Sequence, residues 1–127
     1  MTAKKINSPK IKSLGVYTQA IQVTGGSLIF LSGCVSVDGE GNLVGRGDPA
    51  AQMRQVLTNI QTILAEAGAG LENVIKVTVF SVDLNNRKAM NEVRLEMFGE
   101  IGNSFGQHGH LYFWRSRVVG LLRKFPN

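Results

Sequence analysis

The sequence predicts an α+β fold, because strand-like and helix-like apolar patterns follow one another along one short chain. Two apolar runs, Ala20 to Val23 and Leu28 to Cys34, are separated by glycines. An amphipathic segment extends from Pro49 to Ala67, an alternating segment from Val74 to Val82, and a second amphipathic segment from Arg87 to Phe98. The predicted order is therefore strand, strand, helix, strand, helix.

The two opening strands are predicted from the glycines between them. In Thr24-Gly25-Gly26-Ser27 the glycines can take the positive φ angles that a hairpin turn requires. The second strand is apolar on both of its faces, which is typical of a strand that is buried on both sides. One face consists of Leu28, Phe30 and Cys34, and the other of Ile29 and Leu31.

The helix from Pro49 to Ala67 is predicted by its ends and by its apolar stripe. Asp48 is a suitable N-cap, Pro49 fits the first helical position, and Gly68 ends the helix. Apolar residues recur at the i, i+3, i+4, i+7 spacing of one helix face. These residues are Met53, Val56, Leu57, Ile60, Ile63, Leu64 and Ala67.

The second half of the chain predicts a strand, a helix and two closing strands. In the strand from Val74 to Val82, alternation places Ile75, Val77 and Val79 on one face and Lys76 and Thr78 on the other. Asn85 and Asn86 are predicted to cap the second helix, whose inner face is Met90, Val93 and Met97. The closing strands are Leu111 to Trp114 and Arg117 to Leu122.

Size and composition predict one folded domain spanning residues 1–127. The chain has 127 residues, of which 43% are hydrophobic, and it has no low-complexity run. No apolar segment approaches the roughly 20 residues of a membrane span, and no apolar stretch follows the basic start, so neither a membrane partner nor a signal peptide is predicted. The single cysteine, Cys34, fits a reducing cytoplasm and is predicted to be a small buried side chain.

The net charge of +5 is concentrated at the two ends of the chain. Its main contributors are Lys4, Lys5, Lys10, Lys12, Arg115, Arg117, Arg123 and Lys124. A basic end can bind nucleic acid, but no aromatic-rich nucleic-acid motif accompanies these residues. We therefore interpret them as solvated charge and do not predict a nucleic-acid partner.

The two predicted helices can cover only one face of the sheet. The second strand is apolar on both faces, so the opposite face needs a cover of its own. Another copy of the same chain is the simplest cover, and the sequence thus predicts an oligomer.

Five segments together resemble the RidA/YjgF/UK114 family, also described as endoribonuclease L-PSP-like. They are Gly15-Val16-Tyr17-Thr18-Gln19-Ala20, Leu31-Ser32-Gly33, the helix from Pro49 to Ala67, Val77-Thr78-Val79-Phe80, and Asn91 to Gly99. The resemblance implies a chorismate-mutase-like α+β fold, with a mixed sheet and two helices on one face. It also implies a homotrimer with ligand clefts between subunits.

The resemblance implies a cofactor-free and metal-free hydrolytic chemistry on a small-molecule substrate. Family members convert reactive imines and enamines, such as 2-aminoacrylate, to a keto acid and ammonia. Such a site must hold the substrate carboxylate, place a water at the imine carbon and assist proton transfer. Arginine is the natural carboxylate ligand, because its planar fork makes two parallel bonds.

Four positions match family motifs and are predicted to bind substrate. Tyr17 matches the tyrosine of a Gly-Pro-Tyr-Ser-Gln-Ala segment, with Val16 in place of proline, and Gly33 matches the Ser-Gly of the second strand. Cys34 stands where glutamine is common, and Asn91 opens the second-helix motif. Without the resemblance, Tyr17 reads as an interface aromatic and Asn91 as a structural helix amide, and both alternatives stay open.

The tail departs from the family after about Gly102. The resemblance implies an arginine in a Pro-Ala-Arg-Ser-type stretch and a glutamate in the last strand, but residues 99–108 contain no arginine and Val118 to Phe125 contains no acid. Either the tail is a genuine divergence, which would make the chain a non-catalytic binding or regulatory member, or it derives from a shifted reading frame. A third function class, RNA binding or cleavage, has been claimed for family members.

Two pairs of tail residues have side chains that can bind a ligand or a metal. Arg115 and Arg117 would share one face of a strand, and we hypothesise that one of them reaches a ligand carboxylate in a subunit cleft; the alternative is solvated surface arginine. His108 and His110 have the same spacing, but two histidines without a third ligand make a weak metal site, so no metal is predicted.

Overall fold

The computed structural model describes residues 2–12, 19–99 and 117–124. The strands are β1 (Thr2–Ile6), β2 (Ala20–Thr24), β3 (Ser27–Phe30), β4 (Val74–Phe80) and β5 (Arg117–Lys124). The helices are α1 (Pro49–Glu66) and α2 (Arg87–Phe98), and short 3-10 turns at Leu71–Asn73 and Leu84–Asn86 precede β4 and α2. The predicted α+β fold with two helices is confirmed.

The described strands form two antiparallel groups. β1 pairs with β2, and β5 lies between β3 and β4 in a three-stranded sheet. Within the described residues all three strand pairs are antiparallel, whereas a mixed sheet was predicted. β1 was not predicted at all, because the side chains of Ala3 to Ile6 are exposed and carry no alternating pattern. Its order comes instead from the backbone ladder from Thr2–Thr24 to Ile6–Ala20.

The predicted hairpin between β2 and β3 is only half right. Gly25 and Gly26 have φ angles of 76° and 70°, so the positive φ angles are confirmed. In the part of the chain that the structure describes, however, no ladder joins the two strands. β2 pairs with β1 and β3 pairs with β5, so the turn separates two strands that find other partners.

The outer face of β3 is exposed, whereas residues that follow the strand are buried. Leu28 and Phe30 are 51% and 72% exposed, while Leu31 and Cys34, which lie after the end of β3, are only 7% and 9% exposed. The prediction that Cys34 shares a face with Leu28 and Phe30 is therefore wrong. β3 ends at Phe30, the strand alternation stops there, and Cys34 joins Leu31 in the core. The outer face of β3 has no cover within the described single chain.

Helix α1 has the predicted ends and most of the predicted stripe. Asp48 accepts a hydrogen bond from the backbone N–H of Ala51 at 3.0 Å, and Gly68 has a φ of 67°. The buried residues are Met53, Val56, Leu57, Ile60 and Leu64. Ile63 was predicted to belong to this stripe but is 48% exposed. It lies at the edge of the buried helix face, whereas Leu64 lies at its centre.

A β-bulge shifts the alternation of β4. Val74 pairs with Leu122 and Lys76 with Leu121, so Ile75 is an extra residue on this strand. Val74 and Val77 are both buried although they are three positions apart. The predicted apolar face of Ile75, Val77 and Val79 is therefore wrong in its first member, since the bulge puts Val74 there instead.

Helix α2 begins through a different cap and buries a wider face than predicted. Asn86 makes no side-chain cap bond; Asp83 instead accepts from the backbone N–H of Asn85 at 2.9 Å and caps the 3-10 turn. Met90 and Val93 are buried as predicted and Met97 is partly buried. Arg94 and Phe98 are buried as well.

The two helices pack against each other over the sheet. Arg54 of α1 makes a bidentate salt bridge to Glu96 of α2, with Nη1–Oε1 and Nη2–Oε2 distances of 2.9 and 2.7 Å. The core of the described residues is formed by Leu31, Cys34, Met53, Val56, Leu57, Ile60, Leu64, Leu71, Val74, Val77, Met90, Val93 and Phe98. This packing fixes α2 relative to the sheet end discussed below.

Candidate functional site

The candidate site lies at the end of the sheet where β5 begins. β3 and β4 both run antiparallel to β5, so their C-terminal ends lie at the same sheet end. Gly33 and Cys34 come three and four residues after the last residue of β3, and Arg117 opens β5, where its backbone is paired with that of Phe80. The topology therefore brings three sequence-predicted site residues to one end of the sheet.

Asn91 approaches the same region from helix α2. Residues 81–86 connect β4 to α2, so the first turns of the helix stand near the C-terminal end of β4. Asn91 is half-buried, whereas Gly33 is exposed. No hydrogen bond joins Asn91 to Gly33 or Cys34 among residues 2–12, 19–99 and 117–124. The structure thus places these described residues at one end of the fold without a hydrogen bond between them, and their binding roles stay predictions.

Two predicted site residues, Tyr17 and Arg115, lie outside the described residues. The described neighbour of Tyr17 is Gln19, whose side chain holds the chain at this point. Its Oε1 accepts from the backbone N–H of Ser8 at 2.7 Å, and its Nε2 donates to the carbonyl of Ile11 at 3.0 Å. Gln19 therefore anchors the end of the first family-like segment to residues 8–11.

Cys34 is a structural side chain at this site. It is 9% exposed, its Sγ lies 3.7 Å from the carbonyl oxygen of Ser32, and burial raises the pKa of its thiol. A thiol with a raised pKa stays protonated at neutral pH and is a poor nucleophile. The prediction that Cys34 is a small buried side chain is confirmed.

The segment that follows Cys34 is tied to helix α1 by Asn59. Its Nδ2 donates to the carbonyls of Val35 and Val37 at 3.3 and 2.8 Å. Buried Ser36 donates from Oγ to the carbonyl of Val44 at 2.6 Å. These bonds give the three backbone carbonyls side-chain donors, and they fix the path of the chain beside Gly33 and Cys34.

Two carboxylates of the described residues, those of Asp38 and Glu96, already make hydrogen bonds that stabilise the fold. Asp38 accepts from the backbone N–H groups of Glu40 and Asn42, both at 2.9 Å, and the bond from Asn42 is the largest cause of its lowered pKa. The hydrogen bond from Arg54 lowers the pKa of Glu96. A carboxylate with a lowered pKa is a weak general base. Neither group therefore replaces the glutamate that the tail lacks.

Sequence reasoning missed Arg94, a charged residue on the inner side of α2. Arg94 is 8% exposed, and its Nε is buried with no hydrogen-bond partner. Burial is the main cause of its lowered pKa, with Arg87 as a second cause. The available signal was its position, because Arg94 lies four residues after Met90 and next to Val93, where an apolar residue is expected.

Within the described residues no group of three histidine, cysteine, aspartate or glutamate side chains could hold a metal ion. His108 and His110 lie outside those residues. Of the described helices, neither α1 nor α2 is both long and apolar enough to span a bilayer.

Comparison with known proteins identifies the family. The sequence model of the family described as Endoribonuclease L-PSP matches residues 7–108 of this chain. The chain belongs to the RidA/YjgF family. The match contains Tyr17, Gly33, Cys34 and Asn91, and it ends before residues 109–127, which include Arg115 and Arg117.

Two relatives agree with this membership, and a solved structure has a similar fold. A RutC family protein of Pyrococcus abyssi is 47% identical over 89 residues, which are 70% of this chain and 68% of that protein. A RutC family protein of Synechocystis is 38% identical over 102 residues, 79% of this chain and 77% of that protein. The Rid family protein YyfB of Yersinia pestis has a similar fold, with a TM-score of 0.77, 22% identity and coverage of 98% of this chain and 100% of that chain.

Proposed function

We propose that this RidA/YjgF-family chain hydrolyses small reactive enamines and imines of the 2-aminoacrylate type to a keto acid and ammonia. The observation that carries the proposal is the family match over residues 7–108. The sheet end formed by Gly33, Cys34, Arg117 and the first turns of α2 is the proposed ligand-binding region.

The proposed reaction makes modest demands on the protein. An enamine first becomes the imine, by gaining a proton at its terminal carbon and losing one from nitrogen. Water then adds to the imine carbon, the nitrogen is protonated, and the carbon–nitrogen bond of the resulting carbinolamine breaks as its hydroxyl loses a proton, which leaves a keto acid and ammonia. Because such substrates already hydrolyse in water, correct placement of the substrate and of one water supplies much of the acceleration. The protein must then hold the substrate carboxylate and relay one proton.

We also propose that the chain assembles as a homotrimer with the ligand cleft between subunits. The outer face of β3 supports this, because Leu28 and Phe30 are 51% and 72% exposed there. Such a pair of large apolar side chains on a sheet face favours burial against another protein surface. On this proposal, residues from two copies border each cleft.

A second candidate function is non-catalytic binding of a small carboxylate ligand. It is favoured by the lack of any acidic residue after Glu100 and by the structural engagement of Asp38 and Glu96. The reading-frame hypothesis for the tail belongs to the same question. Translation of the coding DNA in the other two frames tests it: a Pro-Ala-Arg segment followed by an acidic strand supports a frameshift, and its absence from both frames refutes it.

RNA cleavage is favoured only by the family description and by the basic ends of the chain. Binding that is lost steeply with added salt and shows no base preference would reflect nonspecific charge. For the location of the chain we propose the cytoplasm, supported by its single free cysteine.

Imine hydrolysis tests the proposed function. A pyridoxal-phosphate-dependent dehydratase generates 2-aminoacrylate or 2-iminobutyrate in the presence of a trapping amine, and keto-acid release is followed with and without the chain. We expect faster keto-acid release and less trapped adduct when the chain is present. Equal rates with a folded, oligomeric preparation would refute catalysis and favour the binding function.

A further inference from the structure

Helix α2 carries a polar stripe beside its apolar inner face. Arg87, Asn91, Arg94 and Phe98 follow the i, i+4, i+7, i+11 spacing of one line along a helix. Arg94 and Phe98 are buried and Asn91 is half-buried. The stripe therefore places two cationic side chains and one amide along the edge of the packed core.

Arg94 is buried without a charge partner in the described part of the chain. Its exposed fraction is 8%, and its Nε has no hydrogen-bond partner. Burial is the main cause that lowers the pKa of Arg94, and the neighbouring cation Arg87 lowers it further. A buried guanidinium without an anion is costly, so this site favours the arrival of a negatively charged group.

Arg54 shows the contrast within the same helix pair. Arg54 is 49% exposed and binds both oxygens of Glu96, which saturates its fork. Arg94 is far more buried and yet lacks such a carboxylate among the described residues. The unsatisfied arginine is thus the one in the place with less water, where a charge-assisted bond is stronger.

We propose that Arg94 is the anion-binding residue of the ligand cleft and that it takes the carboxylate of a small 2-keto or 2-imino acid, with the Asn91 amide as a neighbouring donor. Asn91 lies one turn before Arg94, so the two side chains are neighbours on the helix surface. This inference rests on the proposed function, because it names the residue that holds the substrate carboxylate. It assigns that task to α2 and not to the tail.

A planar carboxylate is the ligand that fits best. The guanidinium fork makes two parallel bonds to one carboxylate, in the manner that Arg54 and Glu96 show directly. One buried arginine matches one negative charge, whereas a phosphate dianion would bring a second charge into a site with little water.

Binding measurements on the full-length chain test the inference independently of catalysis. The probe is 2-oxobutyrate, the keto acid that the proposed reaction releases from 2-iminobutyrate, and its binding is measured by isothermal titration calorimetry. The neutral comparison is 2-oxobutyramide, which keeps the shape and lacks the charge. The variants are R94M, which removes the charge, and R94K, which keeps the charge and loses the fork. The control is R54M, the same substitution at an arginine whose partner is Glu96.

We expect R94M to weaken 2-oxobutyrate binding at least tenfold, R94K to weaken it less, and R54M to leave it unchanged. The binding of 2-oxobutyramide should be weaker in the native chain and insensitive to R94M. The denaturation midpoint of R94M should equal or exceed that of the native chain, because an unpaired buried charge is removed. Unchanged 2-oxobutyrate affinity in R94M would overturn the inference.

Two other outcomes would also overturn it. If R94M lowers both stability and oligomer mass with unchanged ligand affinity, Arg94 holds a carboxylate of a neighbouring copy. If inorganic phosphate binds at Arg94 and 2-oxobutyrate does not, the ligand class is wrong. The proposed function fails separately: Arg94-dependent binding without imine hydrolysis refutes catalysis alone, and imine hydrolysis that survives in R94M refutes the assignment of Arg94 alone.

Discussion

Replacement of Phe30 by serine should dissociate the proposed homotrimer. Phe30 is 72% exposed in the single chain, on the outer face of β3. A phenylalanine side chain buries about 200 Å² when it is fully covered, so assembly can remove about 150 Å² of apolar surface at this position. At about 25 cal/mol per Å², that burial is worth about 3–4 kcal/mol per subunit.

A loss of that size at each subunit contact should shift assembly by more than a hundredfold in concentration. The fold of the single chain should change little, because Phe30 contributes almost nothing to its core. The control is L43S, which removes another large apolar side chain, 51% exposed, from a loop.

Mass measured by light scattering after size-exclusion chromatography, over a wide range of protein concentration, checks the prediction. We expect a trimer mass for the native chain and for L43S, and a monomer mass for F30S with an unchanged far-UV circular dichroism spectrum. A native chain that stays monomeric at high concentration, or an F30S variant that stays trimeric, would refute the interpretation of the β3 outer face.

Three further predictions concern the single chain. L64A should lower the free energy of unfolding by about 3 kcal/mol, because Leu64 is fully buried and its truncation leaves a cavity. The control I63A, at a neighbouring position that is 48% exposed, should change the free energy of unfolding by less than about 1 kcal/mol. Urea titrations at one protein concentration measure both variants, and equal losses would contradict the burial pattern of α1. The pKa of Asp38 is lowered in the folded chain, so the contribution of Asp38 to stability is present above its unfolded pKa and is lost as the pH falls through its folded pKa. D38N should therefore be less stable than the native chain at neutral pH, and this difference in stability should shrink on acidification. A difference that does not change with pH would count against the backbone hydrogen bonds of Asp38 as its cause. Cys34 should react slowly with a thiol reagent at neutral pH in the native chain and rapidly in urea, because burial raises its pKa and blocks access; rapid labelling without denaturant would show that the thiol is not buried.

Helix α1 could be predicted from sequence because its signals are local. The aspartate cap, the proline at the first helical position and the glycine after the last turn each act on adjacent backbone, and the structure bears out all three. The prediction that Ile63 is buried was wrong because periodicity gives the centre of a buried stripe more accurately than its edges.

The strands were harder to predict, because their partners are distant in sequence. β1 has no alternating pattern and is ordered through its backbone ladder with β2. The bulge at Ile75 changes which side chains of β4 face the core, and no residue type at that position marks it. The face of Cys34 changed because β3 ends at Phe30, before the apolar run ends.

The candidate site was predictable where it depends on motifs and not where it depends on packing. Gly33, Cys34 and Asn91 were found because their neighbours resemble family segments, and the sheet topology brings the first two to one end with Arg117. Arg94 was not found, since its burial follows from how α2 packs and not from its own residue type. A charged residue in an expected apolar position is therefore worth testing whenever a helix face is predicted.

The most direct test of the proposed activity is keto-acid release from enzymatically generated 2-aminoacrylate as a function of the concentration of this chain. We expect that release accelerates in proportion to the added chain, that a heat-denatured sample has no effect, and that R94M loses most of the acceleration while R54M keeps it. No acceleration by native, correctly assembled chain at any concentration would contradict hydrolytic deamination as its function.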